Sequence, residues 1–125
     1  MSDYRTPAAK VRGHGASGHG AGHWIAQRVT SVALFFLTPV FVWMMATSGA
    51  PDGDATRAFL ASTSGGLITL LTLTAAFQHM RLGLQVVIED YITKTSTKTM
   101  FMLANTLLTT GLWLATVFCL VKIAL

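Results

Sequence analysis

The sequence predicts an all-α integral membrane protein, a single bundle of three transmembrane helices. Two observations carry this. Hydrophobic residues make up 52% of the 125 positions and charged residues only 11%, whereas roughly a quarter of a soluble domain is charged. A chain this short has much surface for its volume, and so few charges would leave that surface apolar in water. Second, three runs without Asp, Glu, Lys or Arg occupy residues 29–50, 58–80 and 99–121. A bilayer core of about 30 Å needs about 20 apolar residues at 1.5 Å each, so all three are long enough. A strand barrel would need many short alternating segments, and the sequence has none.

Taken in order, residues 1–22 are polar, basic and rich in Gly and His. Without an apolar period, they read as a flexible tail. His14, His19 and His23 could take up a metal, but a glycine-rich coil does not preorganise ligands. Residues 23–125 form the membrane domain. The first helix is expected over about 24–47, with Pro39 tolerated as a local kink. The second apolar run continues through Leu82-Gly83-Leu84-Gln85-Val86-Val87-Ile88, which places helix two at about 58–89, long enough to tilt or project. Helix three is expected over about 98–123. The first run is too long for the core of a cleaved signal and lacks a clear small-residue cleavage site, so the N-terminus is expected to stay.

Lys and Arg counts set the expected orientation. Arg5, Lys10, Arg12 and Arg28 precede or open helix one, and Arg81, Lys94 and Lys98 flank the second loop. Only Arg57 and Lys122 fall on the opposite side. The N-terminus and second loop are expected in the cytoplasm and the C-terminus in the periplasm, with Trp24 as an interfacial anchor. The net charge of +4 does not indicate nucleic-acid binding, because the cations form no stripe interleaved with aromatics. Cys119, the single cysteine, excludes an internal disulfide and a cysteine-based metal site. It reads as a packing residue.

Ionisable groups within a membrane are costly and therefore suggest function. They concentrate at the end of helix two, in His79-Met80-Arg81-Leu82-Gly83-Leu84-Gln85-Val86-Val87-Ile88-Glu89-Asp90-Tyr91. His79 and Asp90 are eleven residues apart, close to three full turns, so they share a face about 16 Å apart along the axis. Gly83, one turn from His79, removes a side chain beside the imidazole and leaves room for something flat and large. A neutral imidazole at mid-membrane suits haem iron; the plain alternative is a histidine hydrogen-bonded to a neighbouring helix. Arg81 points about 200° away from His79 and calls for a partner protein or lipid headgroup. Asp90-Tyr91 is either an ordinary helix end with an aromatic-belt residue or a hydrogen-bonding pair at the mouth of a pocket. Arg28 is either a positive anchor or a cation for an anionic cofactor group.

The order His79-x3-Gly83-x6-Asp90-Tyr91 at the end of the second of three helices resembles the hydrophobic membrane-anchor subunit of succinate dehydrogenase, respiratory complex II. The stretch His23-Trp24-Ile25-Ala26-Gln27-Arg28-Val29-Thr30-Ser31 is similar to the start of helix one in alphaproteobacterial members. The resemblance spans roughly residues 23–95. It implies half of a two-subunit anchor in a bacterial inner membrane. His79 would be one axial ligand of a haem b shared with the companion anchor subunit. Tyr91 would hydrogen-bond ubiquinone, Asp90 would help deliver protons, and Arg28 would lie near the haem propionates. Electrons would arrive from the flavoprotein and iron–sulfur subunits; this chain carries neither a cysteine cluster nor a dinucleotide fingerprint for those centres. The companion anchor tends to carry His-Arg-x-Thr-Gly in helix one, from which Gln27-Arg28-Val29-Thr30-Ser31 departs. Three other readings compete: a haem-free structural or assembly protein, a fumarate-reductase-type anchor, and a small multidrug-type transporter. The last calls for a carboxylate within a span, and Glu89 and Asp90 lie only at a helix end.

Overall fold

In a computed structural model of the chain, the described residues are 4, 6–12 and 20–125. They form five helices: α1 (Pro7–Arg12), α2 (Gly20–Thr47), α3 (Gly53–Ala61), α4 (Thr63–Tyr91) and α5 (Thr95–Ala124). Three segments, Ala21–Thr47, Thr63–Tyr91 and Thr95–Ala124, are long and apolar enough to cross a membrane.

Part of the N-terminal segment expected to be a flexible tail is helical. Thr6 Oγ1 accepts a hydrogen bond from the Ala9 amide at 3.1 Å, and Pro7 follows where a first-turn proline costs no hydrogen bond. His14 and His19 lie outside the described residues. Helix α2 begins at Gly20, four residues before the expected start. Extending a formed helix gains a hydrogen bond per residue, so it runs past the edge of the apolar stretch. It also continues through Pro39.

The second apolar run divides in two. Residues 58–61, expected to open helix two, instead end α3. The break is Ser62, whose extended backbone (φ −70°, ψ 147°) stands between the helices. Its Oγ accepts from the Gly65 amide at 3.1 Å and donates to the Phe59 carbonyl at 2.7 Å, so one hydroxyl serves both helix ends. The chain folds back closely enough that a Cβ at Gly65 would collide with the Phe59 carbonyl. At its other end α4 runs to Tyr91, and Lys98 Nζ donates to the Glu89 carbonyl at 2.8 Å.

Helix α4 is central, packed on α2 along one side and on α5 along another, while α3 lies against α4 and α5. What these seams bury is mostly polar and small: Thr69, Thr72, Asn105 and Thr109, with Phe59 and Ile88 the buried hydrophobics among the described residues. Asn105 Nδ2 donates to the Arg81 carbonyl at 2.9 Å, and Trp113 Nε1 to Thr74 Oγ1 at 2.9 Å. Large apolar side chains such as Phe35, Trp43, Leu108 and Phe118 point outward. Water would punish this arrangement. Lipid does not, because hydrocarbon gives apolar side chains no reason to turn inward and leaves helix contact to small and hydrogen-bonding residues. Cys119, read from sequence as a packing residue, is also on the exposed outer face.

Candidate functional site

The site lies at the seam of α2 and α4, close to the middle of α4 and in the first half of α2. His79 is two residues, about 3 Å along the axis, from Phe77, the central residue of α4. Its ring faces α2. Nδ1 lies 3.0 Å from Thr30 Oγ1, and Nε2 lies 3.5 Å from Gln27 Nε2. Gly83, one turn further along α4, faces the same amide: a Cβ there would stand 3.7 Å from Gln27 Nε2. The bare backbone expected to make room for a flat ligand here borders the Gln27 amide.

The Thr30 hydroxyl favours one placement of the imidazole proton. Thr30 Oγ1 is 3.0 Å from both the Ala26 and Gln27 carbonyls of its own helix. A hydroxyl has one proton and two lone pairs. With that proton held by the carbonyls, Oγ1 is an acceptor towards α4, and His79 Nδ1 is the donor. Nε2 then carries a lone pair, which the Gln27 amide faces at 3.5 Å. The reversed arrangement, with Nε2 protonated, would pull the hydroxyl proton off two well-placed carbonyls to reach Nδ1. It would also set an Nε2–H against the Gln27 amide nitrogen, itself a donor.

These residues fit an axial haem ligand. Histidines that bind metal through one nitrogen hold the other N–H on an oxygen acceptor, which orients the ring and raises its basicity. Thr30 supplies that acceptor. The one group at the Nε2 lone pair is a flexible amide at the outer limit of hydrogen-bond distance. Two buried polar atoms nearby have no protein partner among the described residues: Gln27 Oε1 and His23 Nε2, one turn away on α2. The α2 face is polar at residues 23, 27 and 30, a helical repeat at the start of the first span. His23 was read from sequence as a histidine that could bind metal adventitiously and as the start of the stretch that resembles helix one of the family, but not as a site residue. Gln27 and Thr30 received no role at all, although their spacing relative to His23 carried the signal.

The other expected site residues stand apart from this cluster. Arg28 is exposed on α2, its guanidinium 5.2 Å from the centre of the Trp24 ring, a cation–π contact. Asp90 and Tyr91 occupy the exposed end of α4, with Tyr91 82% exposed. Tyr91 is twelve residues from His79, about 18 Å along the helix. The chain thus presents two stations on one helix, a mid-span imidazole and an acid–phenol pair at the end.

Comparison with known proteins agrees with this layout. The family model described as succinate dehydrogenase/fumarate reductase transmembrane subunit matches residues 2–121. A succinate dehydrogenase hydrophobic membrane anchor subunit of Rickettsia typhi is 33% identical over 90 residues, 72% of each chain. Its counterpart from Paracoccus denitrificans is 31% identical over 88 residues, covering 70% of this chain and 68% of the relative. That of Rickettsia felis is 29% identical over 109 residues, 87% and 82% of the two chains. No solved structure matches significantly. With three spans, a polar seam and a family match over nearly its whole length, the chain belongs to the succinate dehydrogenase/fumarate reductase transmembrane subunits, a family of multi-pass membrane proteins.

Proposed function

We propose that this chain is half of the membrane anchor of a succinate:ubiquinone oxidoreductase, that His79 Nε2 is one axial ligand of a haem b shared with the companion anchor subunit, and that Asp90 and Tyr91 belong to the site where ubiquinone is reduced. The observation that carries the haem assignment is the 3.0 Å contact between Thr30 Oγ1 and His79 Nδ1, which favours a lone pair on the other nitrogen. When bound, haem supplies a one-electron redox centre within the membrane. Thr30 holds the Nδ1 proton and the ring plane. Gly83 lets Gln27 approach the imidazole, and this amide withdraws by side-chain rotation.

At the end of α4, the Tyr91 hydroxyl donates a hydrogen bond to a quinone carbonyl oxygen while its ring offers an apolar wall. Asp90 takes up protons from the adjoining water and passes them towards the reduced oxygens. Two electrons and two protons convert the quinone to quinol. Both side chains are exposed in the isolated chain, which fits a site completed by other subunits. Arg28, at the start of α2, is assigned to the haem propionates as an anion partner. The flavoprotein and iron–sulfur subunits provide the electrons. By the distribution of Lys and Arg, the N-terminus and the second loop face the cytoplasm of a bacterial inner membrane.

The test is purification of the intact complex from native membranes in mild detergent through a tag on this chain. The expected result is copurification of flavin- and iron–sulfur-containing subunits with succinate-driven quinone reduction. Recovery of this chain without them, or without that activity, overturns the proposal.

A further inference from the structure

A second polar feature lies on the opposite side of α4 from His79. Phe77, Gln78 and Arg81 of α4 and Thr109, Thr110 and Trp113 of α5 line a cleft of about 190 Å³. Its depth is what matters. Phe77 is the middle residue of α4, and Thr109 and Thr110 straddle the middle of α5. The cleft is therefore midway along both spans. Arg81 is the one charged residue lining it, and among the described residues its guanidinium has no ion pair or hydrogen bond.

The guanidinium is poorly placed to escape to the surface. Arg81 is ten residues, about 15 Å, from the Tyr91 end of α4. Helical side chains lean towards the helix N-terminus and cover the preceding turn. For Arg81 that is the turn of Phe77 and Gln78, which takes the charge towards the midplane and away from the nearer membrane face. A bare charge at this depth is costly, and membrane-embedded arginines pair. A neutral acceptor would leave the charge uncompensated in a medium of low dielectric. Lipid headgroups carry their anions at the surface, a half-thickness away. A carboxylate carried on another transmembrane helix arrives at the right depth, and its planar oxygens match the guanidinium fork. This chain cannot provide it, either within itself or from a second copy. Of its acids, Asp52 and Asp54 lie near the start of α3, Glu89 and Asp90 at the end of α4, and Asp3 in the polar N-terminal segment.

We propose that the Arg81 cleft between α4 and α5 receives an Asp or Glu side chain from the membrane span of a different polypeptide, forming a buried ion pair that fixes how this chain docks to that neighbour. The proposal does not depend on the His79 assignment. Gln78 and Thr110, both exposed on the cleft rim with no side-chain hydrogen bond among the described residues, complete the set of donors around the incoming carboxylate.

The test uses the full chain in its native membrane. A photoreactive benzoylphenylalanine replacing Leu114, exposed one turn along α5 from Thr110 and outside the cleft lining, with Arg81 intact, is illuminated and the adduct sequenced. The expected adduct is a membrane span of another protein with an Asp or Glu within about one helical turn of the linked position. Arg81→Glu then lowers recovery of that partner by at least about tenfold, because the buried partner acid loses its cation and faces a second carboxylate. Exchanging the partner acid for Arg in the same cells returns recovery to within about twofold of wild type, as a coupled pair requires. An adduct with lipid alone, with this chain, or with a span that has no acid overturns the proposal. So does the absence of any adduct, or a charge exchange that fails to restore recovery.

Discussion

Thr30 and His79 join α2 to α4 through a 3.0 Å contact two residues from the centre of α4. Thr30 Oγ1 also lies 3.0 Å from two carbonyls of its own turn. The hydroxyl is thereby held as an acceptor, and the imidazole is turned with it. Thr30→Val keeps the shape and removes the acceptor, leaving a part-buried Nδ1–H unsatisfied at a cost of about 1 kcal/mol. The expected outcome is a complex that assembles but whose haem has altered low-spin electron-paramagnetic-resonance g-values and a shifted midpoint potential. Thr30→Ser should restore both. Identical spectra in all three forms would remove Thr30 from the account.

Tyr91→Phe deletes one hydroxyl at the exposed end of α4 and keeps the ring. Assembly and haem content should be unchanged. Quinone reduction by succinate should fall about five- to tenfold, the scale of one hydrogen bond made in the transition state. Succinate oxidation by an artificial acceptor should persist, because the hydroxyl acts only on the quinone. Normal rates with both acceptors would return Tyr91 to the role of an interfacial anchor.

Gly83 offers a size test. A Cβ there would lie 3.7 Å from Gln27 Nε2, an ordinary contact, so Gly83→Ala should be tolerated or slightly stabilising, since alanine favours a helix by up to about 1 kcal/mol. Gly83→Leu drives further atoms into the Gln27 amide and the α2–α4 seam, with an overpacking cost of about 1–3 kcal/mol. Thermal unfolding of the detergent-solubilised complex should separate the two variants. Equal melting temperatures would mean that Gly83 does not set the helix spacing.

Gly65→Ala makes the opposite prediction for alanine. A Cβ at this position meets the Phe59 carbonyl, a backbone group that cannot rotate away. The α3–α4 corner must open, and the variant should lose about 1–3 kcal/mol, read as a lower melting temperature. Haem ligation at the distant α2–α4 seam should be unaffected, so a changed haem spectrum would contradict this separation.

Much of the fold was legible because lipid imposes simple demands. A run of about 20 uncharged residues must be a helix that satisfies its own backbone, and α2 and α5 follow almost directly from residues 29–50 and 99–121. The break at Ser62 was not legible. Hydropathy continues across it, and the cause is local: a serine hydroxyl that serves both helix ends, and a glycine that lets the chain fold back. The site divides in a similar way. His79 stood out as an ionisable residue in hydrocarbon. Its partners Gln27 and Thr30 did not, because uncharged polar residues are frequent in membrane helices and their pairing with His79 depends on how two helices dock.

The most direct measurement is the reduced-minus-oxidised absorption spectrum of the purified complex with and without the His79 imidazole. The proposal predicts low-spin b-type bands in the wild type and their loss in His79→Ala, with the flavin and iron–sulfur subunits still succinate-reducible. An unaltered b-type spectrum in that variant would contradict the assignment of His79 as a ligand of the iron.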